Sequence, residues 1–115
     1  ANRYFDEVNY SDALPHYMYI AENSSDSELK SFALAQIGWM VFESNNAEVA
    51  TTYINESLKI NSDSLVAKSY LGIIYIQDPA KRNEGLEILN SVIRSNKLSK
   101  EDRNFIVEIL ENYEK

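Results

Sequence analysis

The stretch SFALAQIGWMVF, residues 31–42, is answered 34 residues later by LVAKSYLGIIYI, residues 65–76. Gly38 and Gly72 coincide in that alignment, each preceded by a large aliphatic residue, Ile37 and Leu71. Val41 meets Tyr75, while Leu34 against Lys68 is a mismatch. Further on, Ala50, Ile54, Ser57 and Leu58 correspond to Gly85, Leu89, Val92 and Ile93, each 35 residues later. The additional residue falls in the segment from Ile76 to Pro79, where a turn is expected. Self-similarity at this period marks a repeat, and the unit reads as helix, short turn, helix.

An earlier, partial copy precedes these two. Ala13, Tyr17, Ile20 and Ala21 share one face of a helix over 10–22, and Tyr4 and Phe5 sit where Val41 and Phe42 sit later. The chain therefore reads as starting inside a repeat and as part of a longer protein. Helices are expected at 1–7, 10–22, 28–44, 47–60, 63–77, 80–95 and 100–114. Capping residues divide them: Ser25 with Glu28 as a capping box, Asn46, Ser62, Asp78 before Pro79, and Ser99 with Asp102. No segment alternates apolar and polar residues long enough for a strand. The last helix carries Phe105, Ile106, Ile109, Leu110 and Tyr113 as one apolar stripe with charge elsewhere, as a capping helix should. The expected class is all-α, in one domain over 1–115. It divides into a partial repeat (1–30), two repeats (31–64 and 65–99) and a cap (100–115).

The unit resembles a tetratricopeptide repeat (TPR). Its elements here are Leu34, Ile37, Gly38, Val41, Ala50, Ile54, Ser57 and Leu58 in the first full copy. Leu71, Gly72, Tyr75, Gly85, Leu89, Val92 and Ile93 carry it in the second. Val92 replaces a usual small residue, and no proline closes either copy. The resemblance implies an α-α superhelix, a right-handed solenoid of antiparallel helix pairs. It implies a scaffold whose first helices present an inner face to protein or peptide partners. That face comprises Phe5 and Asp6, then Phe32, Ala35, Gln36, Trp39, Phe42 and Glu43, then Val66, Ser69, Tyr70, Ile73, Ile76 and Gln77. It is strongly apolar. TPR domains that clamp acidic chaperone tails use lysine, arginine and asparagine there. The positions here hold Ala35, Trp39, Tyr70, Glu101 and Phe105 in one register, or Asn2, Gln36, Val66 and Tyr70 in the other, so that role is not expected.

Composition narrows the function from another side. Eighteen acidic and eleven basic side chains give a net charge of −7. Such a surface repels phosphate backbones, so nucleic acid is not an expected partner. No run of eighteen apolar residues occurs, which excludes membrane insertion by a helix. The chain has no cysteine and one histidine, His16, hence no sulfur-based zinc site and no paired imidazoles. His16 reads as a structural histidine, since Asp12 is its nearest carboxylate in sequence. Glu108, Glu111 and Glu114 read as a solvated helix face rather than a cation site. The run Asn61 to Ser64 lacks the glycine and closing glutamate of a calcium loop and reads as an inter-repeat turn. Isolated glycines make no phosphate loop, and no cofactor is implied. Asn23 and Asn55 both fit the glycosylation pattern, but Ser57 is expected in the core. No acid, base and nucleophile converge, so the chain reads as a non-enzymatic interaction module. Two alternatives stand beside that reading: a docking domain of a larger enzyme, and self-association through the same apolar face.

Overall fold

The computed structural model describes residues 10–113, with side chains from Leu14 onward. The expected helix over 1–7, with Phe5 and Asp6, lies outside the described residues. Among those described, every regular element is a helix: α1 (Tyr10–Asn23), α2 (Ser27–Glu43), α3 (Ala47–Ile60), α4 (Leu65–Ile76), α5 (Arg82–Ile93) and α6 (Lys100–Tyr113). The bodies fall where the apolar periodicity places them, and the all-α class stands.

Three helix starts differ from expectation, for local reasons. Asp26, not Ser25, caps α2, because its Oδ1 accepts from the backbone N–H groups of Glu28 and Leu29 at 3.0 and 3.2 Å. Ser64, not Ser62, caps α4, accepting from Ala67 N at 3.2 Å. Asp78 and Pro79 open a turn rather than a helix. The Asp78 carbonyl accepts from Lys81 N at 2.9 Å, and proline takes the second turn position that its fixed φ suits. α5 therefore begins at Arg82. Asn46 caps α3 through Val49 N, and Ser99 accepts from Asp102 N, both as expected.

α2 packs on α3, and α4 packs on α5, each as a helical hairpin. α1 lies against α2, where the Tyr17 and Phe32 rings meet edge to face with centroids 6.0 Å apart. The glycines set the approach within each hairpin. A Cβ at Gly38 would stand 2.7 Å from Ile54 Cγ1 and 3.0 Å from the Ala50 carbonyl oxygen. A Cβ at Gly72 would stand 2.7 Å from Cγ of Leu89, the counterpart of Ile54 in the next hairpin. The same contact recurs in the same register of both hairpins, which is the physical content of the repeat.

α4 is the hub. Nine of its twelve residues are buried, as a helix apolar all round requires. Tyr70, Leu71 and Ile74 join Ala35, Ala50 and Ile54 in one apolar cluster. Ile73 and Ile76 join Leu89, Val92, Leu98, Ile106 and Leu110 in a second. Trp39 packs against both. The expected capping helix α6 thus closes the second cluster with Ile106 and Leu110. With a radius of gyration of 13.6 Å, the chain is as compact as a globule of about this length should be.

Candidate functional site

Of the residues expected on the inner face, those from Phe32 to Glu43 lie on α2 and those from Val66 to Ile76 on α4, the first helices of consecutive hairpins, with Gln77 just past the end of α4. These two helices run parallel: Gln36 meets Tyr70 near their middles, and Glu43 and Gln77 border one groove at their ends. The Tyr70 hydroxyl donates to Gln36 Oε1 at 3.2 Å, between side chains 34 positions apart. The repeat period is therefore visible as a buried hydrogen bond.

This close approach divides the face. Ala35, Gln36, Val66, Ser69, Tyr70, Ile73 and Ile76 are buried and offer a partner almost no surface. The reason is geometric. The two helices touch side by side, and Trp39 covers Tyr70 as a near-parallel stack with centroids 4.6 Å apart and a 19° tilt. Ser69 turns back on its own helix and donates to the Leu65 carbonyl at 2.7 Å. Phe32, Trp39 and Phe42 remain half-buried.

Trp39 and Phe42 are neighbours on α2, with ring centroids 5.5 Å apart. Together with Glu43, Asn45, Ala47 and Gln77 they line an open groove of about 470 Å³. The groove sits where α2 ends, the α2–α3 turn passes, and α4 gives way to Gln77. Its floor is aromatic, and its rim holds one carboxylate and two amides. Glu43 and Gln77 are exposed, as are Asn45 and Ala47. Sequence periodicity points to the aromatic pair, and the family resemblance adds Glu43 and Gln77; neither points to Asn45 and Ala47, which belong to the turn. A signal for Asn45 exists: asparagine is among the few residues that favour the left-handed region, and Asn45 has φ 69° just past the helix end.

The other candidates do not line this groove. His16 is exposed and rings with Tyr17 at 5.8 Å. Glu108 and Glu111 are exposed, and Glu114 lies outside the described residues. In the Asn61 turn the side chain accepts from Asp63 N at 3.2 Å. Among the described residues no three metal-ligating side chains gather. Ser57 is fully buried, so the Asn55 pattern is embedded in packing. No described helix is long and apolar enough to cross a membrane. Comparison with known proteins finds no matching family model, no matching characterised protein and no matching solved structure.

Proposed function

We propose that the chain is a TPR-like, non-enzymatic interaction module, a short right-handed solenoid that binds a peptide or helix of a protein partner. The groove at the ends of α2 and α4 is the contact region, with Phe42 and Trp39 as its apolar floor. The observation that carries this reading is the half-buried aromatic pair at the floor of an open groove. Aromatic residues in a partly formed pocket are the usual energetic centre of a protein interface. Phe32 extends the same stripe by about two helical turns toward α1. The buried members of the face, Tyr70 above all, act by holding Trp39 in place rather than by touching the partner.

The test is a selection from a displayed library of random peptides against the parent chain. Enriched peptides should lose about tenfold in affinity for Phe42→Asp, in line with removal of an interface anchor. They should bind Thr52→Asp, on an exposed part of α3, as they bind the parent. Absence of enriched binders, or equal loss in both variants, would remove the groove from consideration as an interface.

A further inference from the structure

The carboxyl ends of α4 and α5 are each closed by an arginine from a following helix. Arg82 donates from Nε to the Ile76 carbonyl at 3.0 Å, and its guanidinium lies 5.4 Å from the centre of the Tyr113 ring. Arg103 donates from Nε to the Ile93 carbonyl at 3.1 Å and from Nη2 to the Ser95 carbonyl at 2.5 Å. A cation at a helix carboxyl end answers the outward-pointing carbonyls and the negative end of the helix dipole. The device is therefore a recurrent one in this molecule.

The carboxyl end of α2 is built differently. In the 35-residue register that pairs Ala50 with Gly85 and Ile54 with Leu89, the counterpart of Arg82 is Ala47. Both are the first residues of their helices. Where Arg82 lies in the later repeat, Ala47 borders the groove of about 470 Å³. The last turn of α2 holds no basic residue, and its final residue is Glu43, a charge of the same sign as the dipole end beside it. The counterpart of the Ile76 carbonyl is that of Phe42, which accepts from Asn45 N at 2.9 Å and retains a second lone pair. The nearby Lys81 lies over the Tyr75 ring at 4.8 Å, in the neighbouring groove with Glu48 and Asp78.

We infer that this groove takes the guanidinium of an arginine in the partner segment, which fills in trans the place that Arg82 fills in the next repeat. Glu43 and the Phe42 carbonyl receive its N–H groups, and the aromatic floor receives its apolar stem and planar face. A chain of net charge −7 favours the approach of such a segment. The inference rests on the interaction-module reading and adds the chemistry of the partner.

The probe is a capped pentapeptide of leucine and alanine with a central arginine, compared with a twin carrying citrulline, which keeps the shape and loses the charge. Amide shifts of the parent chain are followed by NMR. The arginine peptide should move Glu43, Asn45, Ala47 and Gln77 saturably, about tenfold more tightly than its twin. Ala47→Arg should abolish that binding while holding or raising the melting temperature. Glu43→Gln, at an exposed position, should bring the two peptides to similar affinity whether or not the first variant folds. Equal binding of both peptides to the parent overturns the guanidinium assignment and leaves the interaction groove standing. Shifts confined to other residues, or an undiminished preference in Glu43→Gln, also overturn it. The library selection with Phe42→Asp decides the underlying reading separately.

Discussion

One methyl group added at Gly85 would meet the Ile76 backbone nitrogen at 2.6 Å and the Gly72 carbonyl oxygen at 2.8 Å. Neither atom can move without moving α4. A methyl group at Gly72 instead meets Leu89 side-chain atoms at 2.7 and 2.8 Å. Leu89 is fully buried but can repack in part. Alanine returns about 1 kcal/mol of helix propensity at either position, so the sign depends on the clash. Gly85→Ala should therefore lose about 2 kcal/mol or more, and Gly72→Ala about 1 kcal/mol or less. Urea unfolding of both variants checks the order, and a Gly85→Ala protein as stable as the parent would contradict the close approach. Polar pairs matter at this scale too. Ser31 and Ser57, both buried, donate reciprocally to each other's carbonyls across α2 and α3, at 2.9 and 2.5 Å. The corresponding positions of the next hairpin are Leu65 and Val92, which pack as apolar groups. One register thus serves a hydrogen-bonded contact and a greasy one.

At the scale of elements, Arg103 fixes where α5 ends and how the chain turns into α6. It is half-buried and holds two carbonyls with one planar fork. Lysine has a single ammonium and cannot reproduce that geometry. Arg103→Lys and Arg103→Met should both destabilise by about 1.5 kcal/mol, the worth of hydrogen bonds to a charged group. Hydrogen exchange should accelerate first at the amide of Ser95, which donates to the Val92 carbonyl. Retention of full protection in Arg103→Lys would mean that charge alone suffices there. The helix bodies are legible in the sequence because each must bury a stripe, and stripes have a period. Their starts are less so. Ser25, Asp26 and Ser27 compete for one cap, as Ser62, Asp63 and Ser64 do for another, and side-chain reach decides between them. The expected partner face is legible on α2 as the stripe 32, 35, 39 and 42, and on α4 only through the family resemblance. Which of its residues stay accessible is not, because that depends on how near α4 comes to α2. Tyr70 lies beneath Trp39 for that tertiary reason, and Ala47 joins the groove through a turn that no periodicity describes.

Over the whole molecule, α4 stands between two apolar clusters, and Trp39 is the side chain that packs against both. The first cluster is made by α2, α3 and α4, the second by α4, α5, Leu98 and α6. Such an arrangement behaves as a row of neighbours, each stabilised chiefly by the next. α6 closes the row with Ile106 fully buried and Leu110 nearly so, while Ile109 is half-buried. Burying two large aliphatic side chains and half of a third contributes about 5 kcal/mol. A chain of this size has only about 5–15 kcal/mol in all. Removing residues 100–115 would also uncover Leu89, Val92 and Ile73, a contiguous apolar patch of the kind that drives association. The shortened chain should therefore lose its cooperative thermal transition at α4 and α5, or associate through the uncovered cluster. Protection from hydrogen exchange should fall most in α5 and the Ile73 side of α4. It should persist longest in α2 and α3, whose own cluster is untouched and whose Ser31–Ser57 contact remains. Circular dichroism melting with light scattering, followed by residue-resolved exchange, distinguishes these outcomes. A shortened chain that stays monomeric and melts like the parent would show α6 to be an appendage, and the second cluster to be complete without it.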